Sequence, residues 1–142
     1  MITSRSLADL NPLVRHLAQK HIEECKKVGI DLLIYCTYRD VEAQNELYSL
    51  GRTKPGSVVT NARGGDSTHN YRIAYDCVPL VNGKAAWNDT ILYKRIAEIG
   101  KKLGLEWAGD WKSFKEFPHF QYTGGLTIAE LKAGKQIPSA LV

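Results

Sequence analysis

A single acidic side chain, Asp76, interrupts an uncharged and largely apolar stretch that runs from Ile73 to Val81. Such a run, bounded by polar residues on both sides, predicts a buried β-strand. An ionised carboxylate in a buried strand is costly unless it is paired with a positive group or bound to a metal. The fold must therefore supply Asp76 with a metal ion or an arginine, or else place it where it caps a turn.

Length and composition indicate one globular domain spanning positions 1–142. The 142 residues are 44% hydrophobic and 24% charged, which is ordinary for a soluble domain of this size. The longest unbroken apolar run extends only from Leu32 to Cys36, so we expect no stable membrane insertion. The excess of 19 basic over 15 acidic residues suits an anionic polymer such as nucleic acid, a membrane surface or a cell wall, or simply a solvated surface.

Hydrophobic spacing and turn residues predict an alternating set of short elements. In chain order they are a helix at 7–28 with a break near Pro12, a strand at 31–37, a helix at 40–50, a polar loop at 52–68, a hairpin of strands 73–81 and 84–87, a helix at 89–104, short strands at 105–108 and 119–122, and a helix at 127–133. This order predicts an α+β domain with a small, mainly antiparallel sheet and flanking helices. Polar loops as long as 52–68 are usually functional.

The cysteines predict where the chain folds. Cys25, Cys36 and Cys77 are odd in number and form no C-x-x-C motif, so we expect buried, reduced thiols and folding in a reducing cytoplasm. The first residues are not followed by an apolar segment, so no secretory signal is expected.

Two of the four histidines give no metal-site signal. His16 and His21 lie five residues apart on the first predicted helix, which separates them by about 140° around its axis. We therefore interpret both as surface or boundary residues.

The other two histidines lie beside predicted strands. His69 precedes the strand that carries Asp76, and His119 begins a later one, three residues after Glu116. Two imidazoles and a carboxylate are the three protein ligands of many catalytic zinc sites, and a further carboxylate can act as general base. Spacing alone leaves open that these are ordinary polar residues.

Longer motifs favour the metal site. The segment 67–76 (STHNYRIAYD) resembles the S-x-H-x-x-G-x-A-x-D motif of the VanY/M15 zinc peptidases. Segment 37–53 (TYRDVEAQNELYSLGRT) resembles a second block of that family, and segments 104–120 (GLEWAGDWKSFKEFPHF) and 125–135 (GLTIAELKAGK) resemble its phage L-alanyl-D-glutamate endopeptidases. The resemblance covers nearly the whole chain in the right order and implies a Hedgehog/DD-peptidase-like fold.

The resemblance also implies roles for individual residues. It implies that His69, Asp76 and His119 bind Zn²⁺, that Glu116 is the catalytic base, and that Arg39 holds substrate oxygen or developing negative charge. The alternative for Arg39 is a salt bridge with one of its two acidic neighbours, Asp40 or Glu42.

Further motif positions are predicted to contact substrate. These are Gln44, Ser67, Asp110 and Trp111. One departure is Arg72, which stands where most relatives have glycine. Arginine does not adopt positive φ as readily as glycine, so the local backbone is open to change; the side chain either lines the cleft or points to solvent.

The function that the resemblance implies is hydrolysis of the L-alanyl-D-glutamate bond of peptidoglycan stem peptides for host cell lysis. Two alternatives remain: a D,D-carboxypeptidase that removes terminal D-Ala, and a non-catalytic wall-binding domain. We expect a monomer that binds no nucleic acid, is made in the host cytoplasm, and reaches the wall through a holin-type pore.

Overall fold

The computed structural model describes residues 1–138, so the last four positions of the predicted domain lie outside the described residues. The helices and strands, in chain order, are α1 (Pro12–Lys27), β1 (Asp31–Cys36), α2 (Val41–Ser49), β2 (Ala74–Val81), β3 (Lys84–Ala85), α3 (Thr90–Lys102), β4 (Glu106–Trp107), β5 (His119–Gln121) and α4 (Ile128–Lys132). Single 3₁₀ turns lie at Leu7–Asp9, Thr68–Tyr71 and Ala108–Asp110. No helix within residues 1–138 has the length and apolar character needed to cross a bilayer.

The predicted α+β class is confirmed. One antiparallel sheet has the order β1-β2-β5-β4, and β3 pairs with β2 through the predicted Asn82–Gly83 turn. The first helix begins at Pro12 because the Asn11 side chain accepts a hydrogen bond from the Leu13 amide and proline fits the first helical position. The stretch before it forms a separate 3₁₀ turn, which explains the predicted break.

One β-bulge decides which side chains of β1 reach the polar face of the sheet. Ile34 pairs with Cys77, but Cys36 pairs with Asp76, so Tyr35 is an extra residue between the two pairs. Asp76 and Cys77 are adjacent on β2, so their side chains point to opposite faces of the sheet. Their partners Cys36 and Ile34 therefore also point to opposite faces, although they are two residues apart. Ile34 thereby packs on the hydrophobic core while Cys36 shares the face of Asp76.

The core lies between the sheet and the helices α1 and α3. Its fully buried members include Val14 and Cys25 of α1, Tyr75 and Cys77 of β2, and Ile96 of α3. All three cysteines are buried free thiols, as the sequence predicts.

The prediction that His21 is a surface or boundary residue is wrong, because its side chain is fully buried in this core. Its Nε2 lies 2.9 Å from the Ile96 carbonyl oxygen, which can only accept, so Nε2 carries the proton and Nδ1 accepts from the Tyr75 hydroxyl at 2.7 Å. The ring also packs edge-on against Phe120. Burial lowers the pKa of His21 to about 4, against a smaller opposing effect of the Ile96 hydrogen bond.

We therefore predict that His21 makes the fold acid-sensitive. Because the folded-state pKa lies below the unfolded value of 6.5, stability is complete above pH 6.5 and falls as pH decreases towards about 4. The full loss is about 3 kcal/mol of unfolding free energy. Urea titrations across this range should show a steeper pH dependence for the wild type than for His21→Gln. The control His16→Gln should keep the wild-type slope, and a His21→Gln slope equal to wild type would contradict the assignment.

Candidate active site

Two histidines converge on one oxygen of Asp76. Asp76 and His119 are directly paired residues of the antiparallel strands β2 and β5, and His69 approaches from the 3₁₀ turn Thr68–Tyr71. His69 Nε2 and His119 Nδ1 each lie 3.1 Å from Asp76 Oδ1. All three side chains are largely buried, at 4%, 5% and 16% exposure respectively for His69, His119 and Asp76.

The outer nitrogen of each imidazole has its own acceptor. His69 Nδ1 lies 2.8 Å from the Thr37 carbonyl oxygen, and His119 Nε2 lies 2.8 Å from Gln121 Oε1. Because these oxygens accept, the outer nitrogens carry the protons, and in the neutral rings the inner nitrogens present lone pairs to Asp76. Two lone pairs and a carboxylate oxygen in contact repel one another unless a cation or additional protons lie among them.

The pKa shifts of the site residues also favour a cation or additional protons beside Asp76. Burial alone lowers the pKa of His69, but the Asp76 carboxylate outweighs it and raises that pKa to about 10. Burial raises the pKa of Asp76, yet the two imidazoles outweigh it and hold that pKa well below its usual range. The pocket therefore favours net positive charge beside Asp76.

These residues fit a zinc ion. Two imidazole nitrogens and one carboxylate oxygen are a common ligand set for catalytic zinc, and ligating histidines usually donate their other N–H to a carbonyl or carboxylate oxygen. The contacts of His69 with Thr37 and of His119 with Gln121 are of this kind.

The structure brings forward one further candidate ligand that the sequence did not reveal. Cys36, His69 and Asp76 offer ligand atoms that all lie within 4.8 Å of one another. However, Cys36 Sγ lies 3.8 Å from the outer nitrogen of His69 and accepts a hydrogen bond from the Arg39 guanidinium at 3.2 Å. A guanidinium in contact with the sulfur opposes a dication there, so the geometry favours His119 over Cys36.

Glu116 lies at the edge of this cluster. Its Oε2 is 3.9 Å from His119 Nδ1, and its side chain is 34% exposed. Burial raises the pKa of Glu116, partly opposed by the nearby His119. The carboxyl group is thus placed beside the candidate metal position and holds a proton more readily than an exposed glutamate does.

Arg39 points its guanidinium into the same site. Its Nη1 donates to Gln44 Oε1 at 2.8 Å, and its Nη2 lies 4.0 Å from Asp76 Oδ2. Arg39 Nε is buried and has no hydrogen-bond partner within the described part of the chain. The alternative of a salt bridge to Asp40 or Glu42 is wrong, because Asp40 caps α2 and both carboxylates lie near the N-terminal amine.

A cavity of about 540 Å³ opens onto these groups. Its lining includes Arg39, His69, Asp76, Glu116 and His119. One wall is the predicted polar loop, through residues that include Thr60 and Asn61, and another carries Trp111 and Phe114. The cavity can therefore surround an extended peptide with both amide partners and aromatic surface.

Two of the predicted substrate contacts line this cavity and two do not. Ser67 and Trp111 lie in its wall, and Ser67 Oγ also accepts a hydrogen bond from the His69 amide. Gln44 is instead 1% exposed and joins Arg39 to the Ala62 carbonyl oxygen, so it positions other groups. Asp110 lies outside the cavity lining and forms an ion pair with Lys101.

Arg72 adopts the left-handed conformation, with φ of 63°, that glycine usually supplies. Its guanidinium stacks on the Tyr38 ring at 3.8 Å and donates to the Asp9 carbonyl oxygen. It is exposed and lines a second cavity, not the one around the histidines, so of the two alternatives the one that places it in the cleft is wrong. These two contacts offset the strain of the backbone.

Comparison with known proteins places the chain in a family. Residues 60–122 match the model of an M15 peptidase family described as D-alanyl-D-alanine carboxypeptidase. The peptidoglycan L-alanyl-D-glutamate endopeptidase CwlK of Bacillus subtilis (strain 168) is 40% identical over 123 residues, covering 80% of this chain and 74% of that protein. The L-alanyl-D-glutamate peptidase of Listeria phage A118 is 29% identical over 127 residues, covering 84% of this chain but only 41% of the phage protein.

A solved structure supports the same fold. The L-Ala D-Glu endopeptidase ChiX of Serratia marcescens superimposes with a TM-score of 0.65 at 23% identity, covering 86% of this chain and 89% of that one. The chain therefore belongs to the M15 peptidase family and is a metallopeptidase.

We predict that Gln44 acts on catalysis by holding Arg39. Gln44→Leu removes the acceptor of Arg39 Nη1, so kcat for peptide hydrolysis should fall about 10- to 100-fold with little change in KM or in bound metal. The control is Asn45→Ala, because Asn45 also contacts the polar loop, through the Gly64 amide, without touching Arg39. A rise in KM at unchanged kcat would instead identify Gln44 as a substrate contact.

Proposed function

We propose that this protein hydrolyses the L-alanyl-D-glutamate bond of peptidoglycan stem peptides with a Zn²⁺ ion held by His69, Asp76 and His119. The observation that most strongly supports this proposal is that the inner nitrogens of two imidazoles converge on Asp76, with Glu116 and Arg39 in the same cavity. CwlK, which is 40% identical to this chain, is named as an L-alanyl-D-glutamate endopeptidase, and this supports the choice of the scissile bond. Zn²⁺ bound there would supply a Lewis acid that activates water and polarises the scissile carbonyl.

Glu116 acts as the general base and then as the general acid. Its carboxylate takes a proton from the attacking water and afterwards delivers it to the nitrogen of the leaving D-Glu. The raised pKa of Glu116 suits both halves of this task, because the group must hold a proton between the two steps.

Arg39 stabilises the negative charge that develops on the carbonyl oxygen. Arg39 lines the main cavity, and its buried Nε has no hydrogen-bond partner among residues 1–138, so the guanidinium retains donor capacity for that oxygen. Removing one such preorganised donor typically costs about 3–4 kcal/mol of transition-state stabilisation. Gln44 and Cys36 hold the guanidinium in place through its two other nitrogens.

A second candidate activity differs only in the bond cut. The matching family model is described as D-alanyl-D-alanine carboxypeptidase, so removal of a terminal D-Ala uses the same machinery. The relatives whose names specify the L-alanyl-D-glutamate bond favour the first activity. A non-catalytic wall-binding domain is disfavoured because the full set of candidate ligands and Glu116 is present in one cavity.

Digestion of purified peptidoglycan should separate the two activities. We predict new N-terminal D-Glu on released stem peptides and new C-terminal L-Ala on the glycan-linked product, identified by mass spectrometry. Release of free D-Ala with intact L-alanyl-D-glutamate bonds would show the carboxypeptidase activity instead.

Replacement of Glu116 tests the mechanism. Glu116→Gln should reduce kcat at least 100-fold because the amide cannot accept the water proton, while zinc content stays at the wild-type level. Glu98→Gln is the matched control, since Glu98 is an exposed glutamate of α3. If Glu116→Gln hydrolyses peptidoglycan at the wild-type rate, another group is the base.

We further propose that the protein acts as a monomer in lysis of its host, after synthesis in the cytoplasm and passage through a holin-type pore. Three buried free thiols are compatible with folding in a reducing compartment. The net charge of +4 favours approach to an anionic wall.

Controlled expression tests this route. Cells that produce the protein alone should keep a constant turbidity, and cells that also produce a pore-forming protein should lyse within minutes. Cells that produce Glu116→Gln with the same pore are the control for damage by the pore itself. Rapid lysis without any pore would contradict the proposed route.

A further inference from the structure

Trp87 is an exposed aromatic residue next to the active-site face of the sheet. It lies two residues after the end of β3 and is 53% exposed. Its ring meets the Tyr35 ring edge-on, with centroids 5.1 Å apart and planes at 75°. The contact with a second aromatic ring restricts the Trp87 side chain, while its exposure leaves apolar surface in contact with water.

Tyr35 connects this surface to the active site. It is the bulged residue of β1, next to Cys36, the direct partner of Asp76. Together with Phe114, it lines a cavity of about 340 Å³ whose other walls include Asp76, Glu116 and His119. Those three residues also line the main cavity, so the cleft continues past the candidate metal position to Tyr35, whose ring contacts Trp87.

The opposite wall of this extension is also apolar and exposed. Phe114 is 40% exposed and has a φ of 49°, an unfavourable backbone conformation for an aromatic residue. Strained residues of this kind are concentrated at binding and catalytic sites. Val59, which is 45% exposed, lines both cavities beside it.

We propose that Tyr35 and Trp87 form a platform for the sugar ring of the glycan strand that carries the stem peptide. This inference rests on the proposed function. In peptidoglycan, the amine of L-Ala is joined through one lactyl group to the muramic sugar. With the scissile carbonyl at the candidate metal position, these two units extend about 7 Å before the sugar begins.

The shape and chemistry of the platform match this occupant. A sugar ring presents C–H groups on its faces and hydroxyls at its rim, so it binds an aromatic face while its hydroxyls remain in water. A glycan strand continues in both directions, and therefore needs an open surface such as that of Trp87 and not an enclosed cavity. The larger cavity, lined by Thr60, Asn61 and Ser67, remains for the D-Glu side of the stem peptide.

Two substrates with the same scissile bond test the platform. One is a stem peptide whose L-Ala is N-acetylated, and the other is the same peptide attached to its disaccharide. Trp87→Ala should lower kcat/KM about tenfold on the disaccharide-linked substrate, through KM, and leave the N-acetylated peptide within twofold of wild type. Trp87→Phe should restore most of the difference, because it keeps an aromatic face.

Ile91→Ala is the control, since it removes an exposed apolar side chain of α3, at 75% exposure, that offers no aromatic face. Equal losses on both substrates, or no loss on either, would overturn the platform. If the wild type cuts neither substrate, the proposed function fails, and the platform is then tested by binding alone. Titration of the disaccharide should shift the Trp87 indole NMR signal in the wild type, and absence of that shift would refute the proposal.

Discussion

The structure depends on the burial of one carboxylate. Asp76 is the third residue of strand β2, with 16% of its side chain exposed, and both neighbouring strands supply its surroundings. Its Oδ1 faces two imidazole nitrogens, and its Oδ2 lies 4.0 Å from Arg39. An isolated charge in this place would cost several kcal/mol, so the cluster of positive groups and candidate metal ligands around it is a condition for the fold.

The rest of the site follows from how the sheet presents that carboxylate. Direct pairing of Asp76 with His119 places the second imidazole on the same face, and the bulge at Tyr35 turns Cys36 onto that face as well. Cys36 and Gln44 then fix the Arg39 guanidinium in the wall of the cavity. The same bulge directs Tyr35 to the extension of the cleft, so one irregularity serves both the reacting centre and the proposed glycan platform.

Local patterns and motifs were sufficient to predict the elements, the antiparallel sheet and the group around Asp76. The polar loop at 52–68, part of which lines the main cavity, was also predictable from its length and composition. The buried His21 was missed because its surroundings come from Tyr75 and Ile96, which are 54 and 75 residues away in the chain. Cys36 was missed for a similar reason, since only the bulged strand register brings it to Asp76.

Gln44 shows a different limit of sequence reasoning. Its motif position indicates a role at the site, but a motif does not distinguish a side chain that touches substrate from one that holds an arginine. Burial and the two hydrogen bonds of its amide make that distinction. Asp110 lies in the same kind of motif, yet its contact is a surface ion pair with Lys101.

The central claim is that Asp76 shares a zinc ion with His69 and His119, and not with Cys36. X-ray absorption at the zinc edge, on protein loaded with one equivalent of Zn²⁺, tests it most directly. The account predicts only nitrogen and oxygen ligands at about 2.0–2.2 Å, with the scattering pattern of two imidazoles. A sulfur ligand at about 2.3 Å, lost in Cys36→Ser, would contradict it.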